Sequence, residues 1–392
     1  MKEKLCVLNR NRELHYFDYA ATTFMYTGAM EKYKEFHNEI GVLFGKGNNK
    51  LSDRSRGVFE DAVKNISEHF RFNSSYDMII GKNTTELINI VALSLEHIIK
   101  PMDIIMAGPY EHHSNYLPWK YLAKRSGAIF LEIPLDSMDR MNLDYLKTIS
   151  SRVKLLAYSS VANSNGYVVE AGELLGALDR ETLIFVDESQ KTAHGQIVTD
   201  ERIGGHILSS HKMYGPKNIS GAFIRKDILE RMEPVILGGG MINTQGFTDT
   251  WLNGSNKFFS GTYDVGLIAA WAEACRFVRS VGYEKIDSHE AYCYERIKKI
   301  IGSICGVKVI GSEQNAKSML TFTSSRCHPH DIEAYLASRD IIIRSGNLCS
   351  QNSIRKLEQT AVNRISFGLA VDENDLYALE RTLQEYLSTR GE

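Results

Sequence analysis

Seven short apolar runs punctuate the first 225 residues, at 78–80, 103–106, 128–132, 154–159, 183–187, 206–209 and 221–225. Several are continuously apolar rather than alternating, the pattern of strands covered on both faces. Between them lie longer amphipathic segments, among them 59–70, 86–95 and 117–124, which read as helices. Strand and helix in alternation predict an α/β layered fold with a mainly parallel, seven-stranded sheet. The texture changes after about Gly282. A helix is predicted over 283–301, strands over 307–310 and 318–323, and helices over 330–338 and 375–388. These elements predict a smaller α+β domain, joined to the first by a long helical stretch at 265–281. The expected division is an N-terminal arm (1–25), a large domain (26–275) and a small C-terminal domain (276–392).

Composition narrows the function classes. At 392 residues the chain can bury a large core and suggests two domains. Apolar residues make up 43% and charged residues 24%, ordinary for a globular protein. A net charge of -2 gives no case for binding nucleic acid or an anionic membrane surface. No apolar stretch approaches the roughly 18 residues of a membrane span, and the opening MKEKLCVLNRNREL has no apolar signal core. Six scattered cysteines form no CxxC pair, so free thiols in a reducing cytoplasm are expected. The grouping Cys327-His328-Pro329-His330 reads as a loop, and no metal is expected.

The candidate chemistry begins at Ser209-Ser210-His211-Lys212, where a lysine follows a strand in a turn of small residues. Such a lysine can hold an aldehyde as an imine, whereas most lysines are solvated charges. Asp187 closes an apolar run, and a buried carboxylate needs a cationic partner. A pyridinium nitrogen is one such partner; capping of a following helix is the plainer alternative. Gln190 is expected one helical turn further on. The stretch 81–86, GKNTTE, suits an anion at a helix start, or equally a capped helix with Glu86 in its first turn. His112, in Glu111-His112-His113-Ser114-Asn115, can stack on a flat ring and move protons, or form part of a structural pair. Arg364 stands in an otherwise apolar stretch and needs an anion, and Arg344 is a second candidate; either can bind a carboxylate or form a structural ion pair.

In order, FDYAATT (17–23), GKNTTELIN (81–89), EHHSNYLPW (111–119), ANSNG (162–166), VDESQ (186–190), SSHKMYGP (209–216), SGTYD (260–264) and IRSGNLCSQ (343–351) resemble a known family. The chain is similar, from about Phe17 to Leu379, to class V aminotransferase-fold proteins of the cysteine desulfurase and selenocysteine lyase group. The resemblance implies the pyridoxal 5'-phosphate (PLP)-dependent transferase fold type I, PLP as cofactor and a homodimer. It implies that Lys212 carries PLP as an imine, that Asp187 holds the pyridine nitrogen, that Gln190 approaches the ring oxygen and that His112 stacks on the ring. Thr84, Thr85, Ser209 and His211 would contact the phosphate, with Thr262 reaching the phosphate in the neighbouring subunit. Asn163 would lie near the ring oxygen or substrate, and Arg364, with Arg344 as second candidate, would clamp the substrate carboxylate.

Cys349, fifteen residues before Arg364, falls where the family keeps its nucleophile. The implied reaction converts L-cysteine to L-alanine and leaves a persulfide on Cys349 for a sulfur-acceptor protein, with selenocysteine open as a substrate. The compact connection from Cys349 to Arg364 resembles the second (group II) desulfurase subgroup; the chain departs from the family pattern at Asn347-Leu348, where that subgroup usually has histidines, at Glu188-Ser189, where small residues are usual, and at Ser260, where an acidic residue is usual. The alternatives are another class V PLP enzyme (a lyase, epimerase or aminotransferase of a specialised pathway) that leaves Cys349 idle, or a partner protein without turnover.

Overall fold

The computed structural model describes residues 1–7, 13–43, 49–246, 249–311 and 316–388; residues 8–12 of the expected arm lie outside them. All seven apolar runs form strands of a single sheet: β1 (Tyr76–Gly81), β2 (Ile104–Ala107), β3 (Ile129–Glu132), β4 (Val153–Ser159), β5 (Leu183–Asp187), β6 (Gly205–Ser209) and β7 (Ser220–Arg225). Their spatial order is β1-β7-β6-β5-β4-β2-β3. Only β7 runs against its neighbours, pairing antiparallel with β1 and β6; the other pairs are parallel. Every residue of β5 is buried, which is why that run shows no polar alternation. Phe185 packs with Trp119 and Ile207 on one face, while Ile184 and Val186 pack with Leu156 and Leu174 on the other. Each such side chain contributes about 1.5–3 kcal/mol by its removal from water.

The main helices are α1 (Thr27–Glu39), α2 (Lys50–His69), α3 (Thr84–Ser94), α4 (Leu117–Ser126), α5 (Val265–Val281), α6 (Tyr283–Gly302) and α7 (Glu373–Ser388). The α1 helix is absent from the pattern-based expectation. Its Ala29 packs against Ala270 and Ala274 of α5, small residues that carry little hydrophobic signal. The α2 helix begins well before residue 59. Asn49 caps it, its side chain accepting from Leu51 N–H and Ser52 N–H, and its first turns bury Ser52 and Ser55 rather than large apolar groups.

A second, antiparallel sheet holds β8 (Val307–Ile310), β9 (Met319–Ser324), β10 (Arg344–Gly346) and β11 (Val362–Ser366), in the order β8-β9-β11-β10. The N-terminal stretch is tied to it. His15–Tyr16 pairs parallel with Ile341–Ile342, and Ser366 N–H donates to Phe17 O. One apolar cluster runs through both sheets, including Met78, Trp271, Phe322 and Phe367. The segment after β5 corrects one expectation. Residues 189–195 are turn and bend rather than helix, and Asp187 Oδ1 accepts from Ser189 N–H at 2.9 Å. Asp187 therefore caps a tight turn, and Gln190 reaches its place through that turn.

Candidate active site

Strands β1, β4, β5 and β6 run in one direction, so their C-terminal residues Gly81, Ser159, Asp187 and Ser209 share one edge of the sheet. Ligands in open α/β sheets bind at that edge. A cavity of about 260 Å³ opens there. Lys212, Asp187, Gln190, His112, Thr84, Thr85, Asn163, Ser209, His211, Arg344, Cys349 and Arg364 all line it. Thr262 does not. It is exposed in a separate groove beside Ile80, Lys82 and Ile236. A larger cleft of about 950 Å³, bounded by residues such as Asp136, Arg140, Tyr167 and Glu173, contains none of the predicted groups.

The ionisable groups of the cavity are set by burial. Asp187 is 6% exposed, and desolvation raises its pKa, opposed by hydrogen bonds from Ser189 and the charge of Lys212. Among the described residues Asp187 has no cation within 4.0 Å. Lys212 follows β6 in a short 3-10 turn, Ser210–Lys212, and desolvation lowers its pKa from 10.5 to about 8. Gln190 donates to Ala20 O at 2.8 Å, and its Oε1 is buried without a partner. His112 Nδ1 accepts from Ser114 N–H at 3.1 Å, so the neutral ring carries its proton on Nε2. Burial, then the nearby Lys212 charge, pushes its pKa down to about 3.

A carboxylate without a cation, a poorly solvated amine and an orphaned amide oxygen fit a flat cationic heteroaromatic aldehyde such as PLP. Thr84 and Thr85 open α3, behind the capping Asn83, and Ser189, Ser209 and His211 add polar groups to the same wall. Hydroxyls and free N–H groups at a helix start suit a phosphate.

At the opposite wall Arg364, on β11, is 3% exposed. It donates to Asp18 Oδ1 at 2.8 Å and to Asn163 O at 2.8 Å, while its Nε is buried without a partner. Arg344, its register partner on β10, lies 3.8 Å from the other oxygen of Asp18. Two guanidinium groups thus face one resident carboxylate, leaving one positive charge for an incoming carboxylate. Asn163 also holds the loop that carries Cys349. Its amide donates to Leu348 O at 2.7 Å and accepts from Ser350 Oγ at 2.7 Å. Leu348 and Cys349 both have φ of 54°, and each non-glycine residue in that left-handed region costs about 1–2 kcal/mol. The turn is closed by Ser350 N–H donating to Asn347 O at 2.8 Å, and the tethers from Asn163 add to it. Cys349 itself is exposed at the cavity.

Three neighbours of the candidate site were not singled out by the sequence. Asp18 lies within the FDYAATT stretch but shows no sign of its partner 346 residues away. Buried Glu111 accepts from Ser159 N–H, Ser159 Oγ and Asn115 Nδ2, and desolvation raises its pKa to about 7. His113 contacts the Cys349 loop. The His328–His330 grouping is a helix start, with His328 Nδ1 accepting from His330 N–H, and among the described residues no metal-holding cluster exists.

A mainly parallel sheet, with a lysine beyond one strand and a buried carboxylate ending the next, defines a PLP-dependent transferase fold of type I. The chain belongs to the aminotransferase class-V family, whose model matches residues 15–379. It is 30% identical over 378 residues to a probable cysteine desulfurase of Halalkalibacterium halodurans, covering 95% of this chain and 93% of that one. A probable cysteine desulfurase of Pyrococcus abyssi is 29% identical, over 91% of this chain and 90% of its own. The solved apo cysteine desulfurase of Thermococcus onnurineus superposes with a TM-score of 0.93 at 26% identity, over 99% of this chain and 97% of that one.

Proposed function

We propose that the protein is a PLP-dependent cysteine desulfurase that converts L-cysteine to L-alanine and keeps the sulfur as a persulfide on Cys349. The observation that carries this reading is a single cavity lined by Lys212, Asp187, Arg364 and Cys349, which come from four separate segments. Lys212 Nζ would hold the cofactor covalently, Asp187 would keep its ring nitrogen protonated, and Gln190 and Asn163 would serve its ring oxygen. His112 would cover the ring face, and Thr84, Thr85, Ser209 and His211 would hold the phosphate. When bound, PLP supplies an electron sink that weakens bonds at the α-carbon of an amino acid.

The chain's own residues do the rest. Arg364, with Arg344 beside it, orients the substrate carboxylate through the charge that Asp18 leaves unneutralised. Lys212 Nζ, with its pKa near 8, can take and return a proton around neutral pH. The Cys349 thiolate attacks the substrate sulfur, the substrate C–S bond breaks, and alanine leaves. An exposed cysteine at the mouth of the cavity favours this chemistry over the alternatives in which Cys349 is idle, and it leaves the persulfide open to an acceptor protein. Thr262, outside its own cavity and near exposed Ile236 and Leu237, supports a homodimer in which it serves the partner's site. All six cysteines are free, which supports a reducing compartment. Among the described residues no helix is long and apolar enough to cross a membrane.

The test is Cys349→Ser. It should keep the visible absorbance of bound PLP and lose alanine formation, while the wild-type Cys349 peptide gains the mass of one sulfur after exposure to cysteine. Turnover of cysteine by Cys349→Ser at the wild-type rate would refute the reading. Parallel assays with selenocysteine decide the preferred substrate.

A further inference from the structure

Among the described residues, two hold the Cys349 loop from outside. One is Asn163, already part of the cavity wall. The other is His113, which does not line the cavity and has no part in the chemistry above. His113 grips the loop at two points. Its backbone N–H donates to Cys349 O at 2.8 Å, and its ring Nε2 accepts from Gln351 N–H at 3.1 Å. Gln351 opens the short helix Gln351–Lys356, so its N–H is one that no helical carbonyl can satisfy. An accepting Nε2 places the proton of the neutral ring on Nδ1.

These bonds bracket the reactive residue. Leu348 and Cys349 sit consecutively in left-handed conformations, in a turn closed from within by Ser350 N–H donating to Asn347 O at 2.8 Å and held from outside by Asn163 and His113. A second bond inside the loop, from Cys349 N–H to Asn347 Oδ1, is longer, at 3.2 Å. The positions just before Cys349, Asn347 and Leu348, carry no imidazole, yet the fold brings one to the residues just after it.

We infer that His113 is a positioning residue for Cys349: by accepting from Gln351 N–H while its backbone holds Cys349 O, it docks the sulfur-carrying turn against the rest of the fold and keeps Cys349 at the cavity. The inference rests on Cys349 being the sulfur acceptor, and its test separates the two ideas. In PLP-loaded protein, His113→Ala removes the ring acceptor and retains the backbone donor. It should leave the cofactor absorbance unchanged and KM for cysteine within about twofold, because the His113 ring lies outside the lining of the cavity. It should lower kcat by at least about tenfold, since small misplacements of a reacting group are costly. Amide exchange of Cys349 and Gln351 should speed by at least about tenfold, a readout independent of turnover.

His113→Gln, which restores an acceptor at similar reach, should recover most of both effects. Wild-type kcat and wild-type exchange in His113→Ala would overturn the inference, as would a loss that His113→Gln does not rescue. If Cys349→Ser is inactive while His113→Ala behaves as wild type, only the positioning role falls. If Cys349→Ser is fully active, the desulfurase reading itself falls, whatever His113 does.

Discussion

Glu111 offers the sharpest test of how burial shapes this site. Its carboxyl is 5% exposed and lies behind the cavity wall, with Oε1 accepting from Ser159 N–H at 2.8 Å and Oε2 from Ser159 Oγ and Asn115 Nδ2 at 2.6 Å each. Asn115 cannot turn its amide around, because its Oδ1 accepts from Trp119 Nε1 at 3.0 Å. Desolvation outweighs these donors and raises the pKa from 4.5 to about 7. A carboxyl whose proton affinity is raised by folding contributes stability that is fully present below about pH 4.5 and lost as pH climbs through about 7. At roughly 1.4 kcal/mol per pH unit, the loss is about 3 kcal/mol.

Glu111→Gln removes this titration. A protonated carboxyl can donate to Ser159 Oγ and still accept from Asn115. A glutamine amide instead sets its NH₂ against either that Asn115 NH₂ or the Ser159 N–H, at a cost of about 1–3 kcal/mol. In urea unfolding of the cofactor-free proteins the variant should therefore be less stable near pH 5, and the gap should close by about 2–3 kcal/mol towards pH 8 as the wild type pays for ionising Glu111. A gap that stays constant across that range would show that Glu111 keeps an ordinary pKa and would refute the argument.

Three further outcomes follow from the same geometry. Asp18→Asn breaks a buried ion pair and leaves the Arg364 charge poorly compensated, so urea unfolding should show a loss of about 3 kcal/mol; a change below about 0.5 kcal/mol would contradict the pairing. Uptake of PLP by the apo-protein needs the neutral Lys212 amine, so its rate should climb about tenfold per pH unit below about pH 8 and level off above it; stopped-flow absorbance showing a continued climb towards pH 10 would contradict the lowered pKa. His112 should remain neutral from pH 5 to 9, giving constant ring ¹⁵N shifts by NMR, whereas a titration near pH 6.5 would show that the ring is solvated.

The sheet was legible because its strands are buried on both faces and therefore stand out as apolar runs. Their ends fell within two residues of the observed ones, as with 183–187 and Leu183–Asp187. Helices that bury small or polar residues were not legible: α1 packs through Ala29, and the first turns of α2 through Ser52 and Ser55. The segment after Asp187 is a turn and not a helix because the Asp187 carboxylate takes the Ser189 N–H, and an Asp at such a position reads equally as a helix cap.

The candidate residues Lys212, Asp187 and Cys349, which line one cavity, could be picked out from the sequence because each sits in a short motif whose order along the chain is informative. Their company could not. That Arg364 needs an anion follows from its apolar surroundings, but that Asp18 supplies it depends on Phe17 meeting Ser366 across a sheet. That His113 rather than a residue beside Cys349 provides the imidazole at the loop depends on the turn after β2 meeting the loop after β10. Local pattern determined which segments are strands and which side chains can react, because burial period and residue chemistry are properties of a few neighbouring positions. Partners, tautomers and shifted proton affinities were decided by tertiary structure alone, because they depend on which distant groups share a water-poor space.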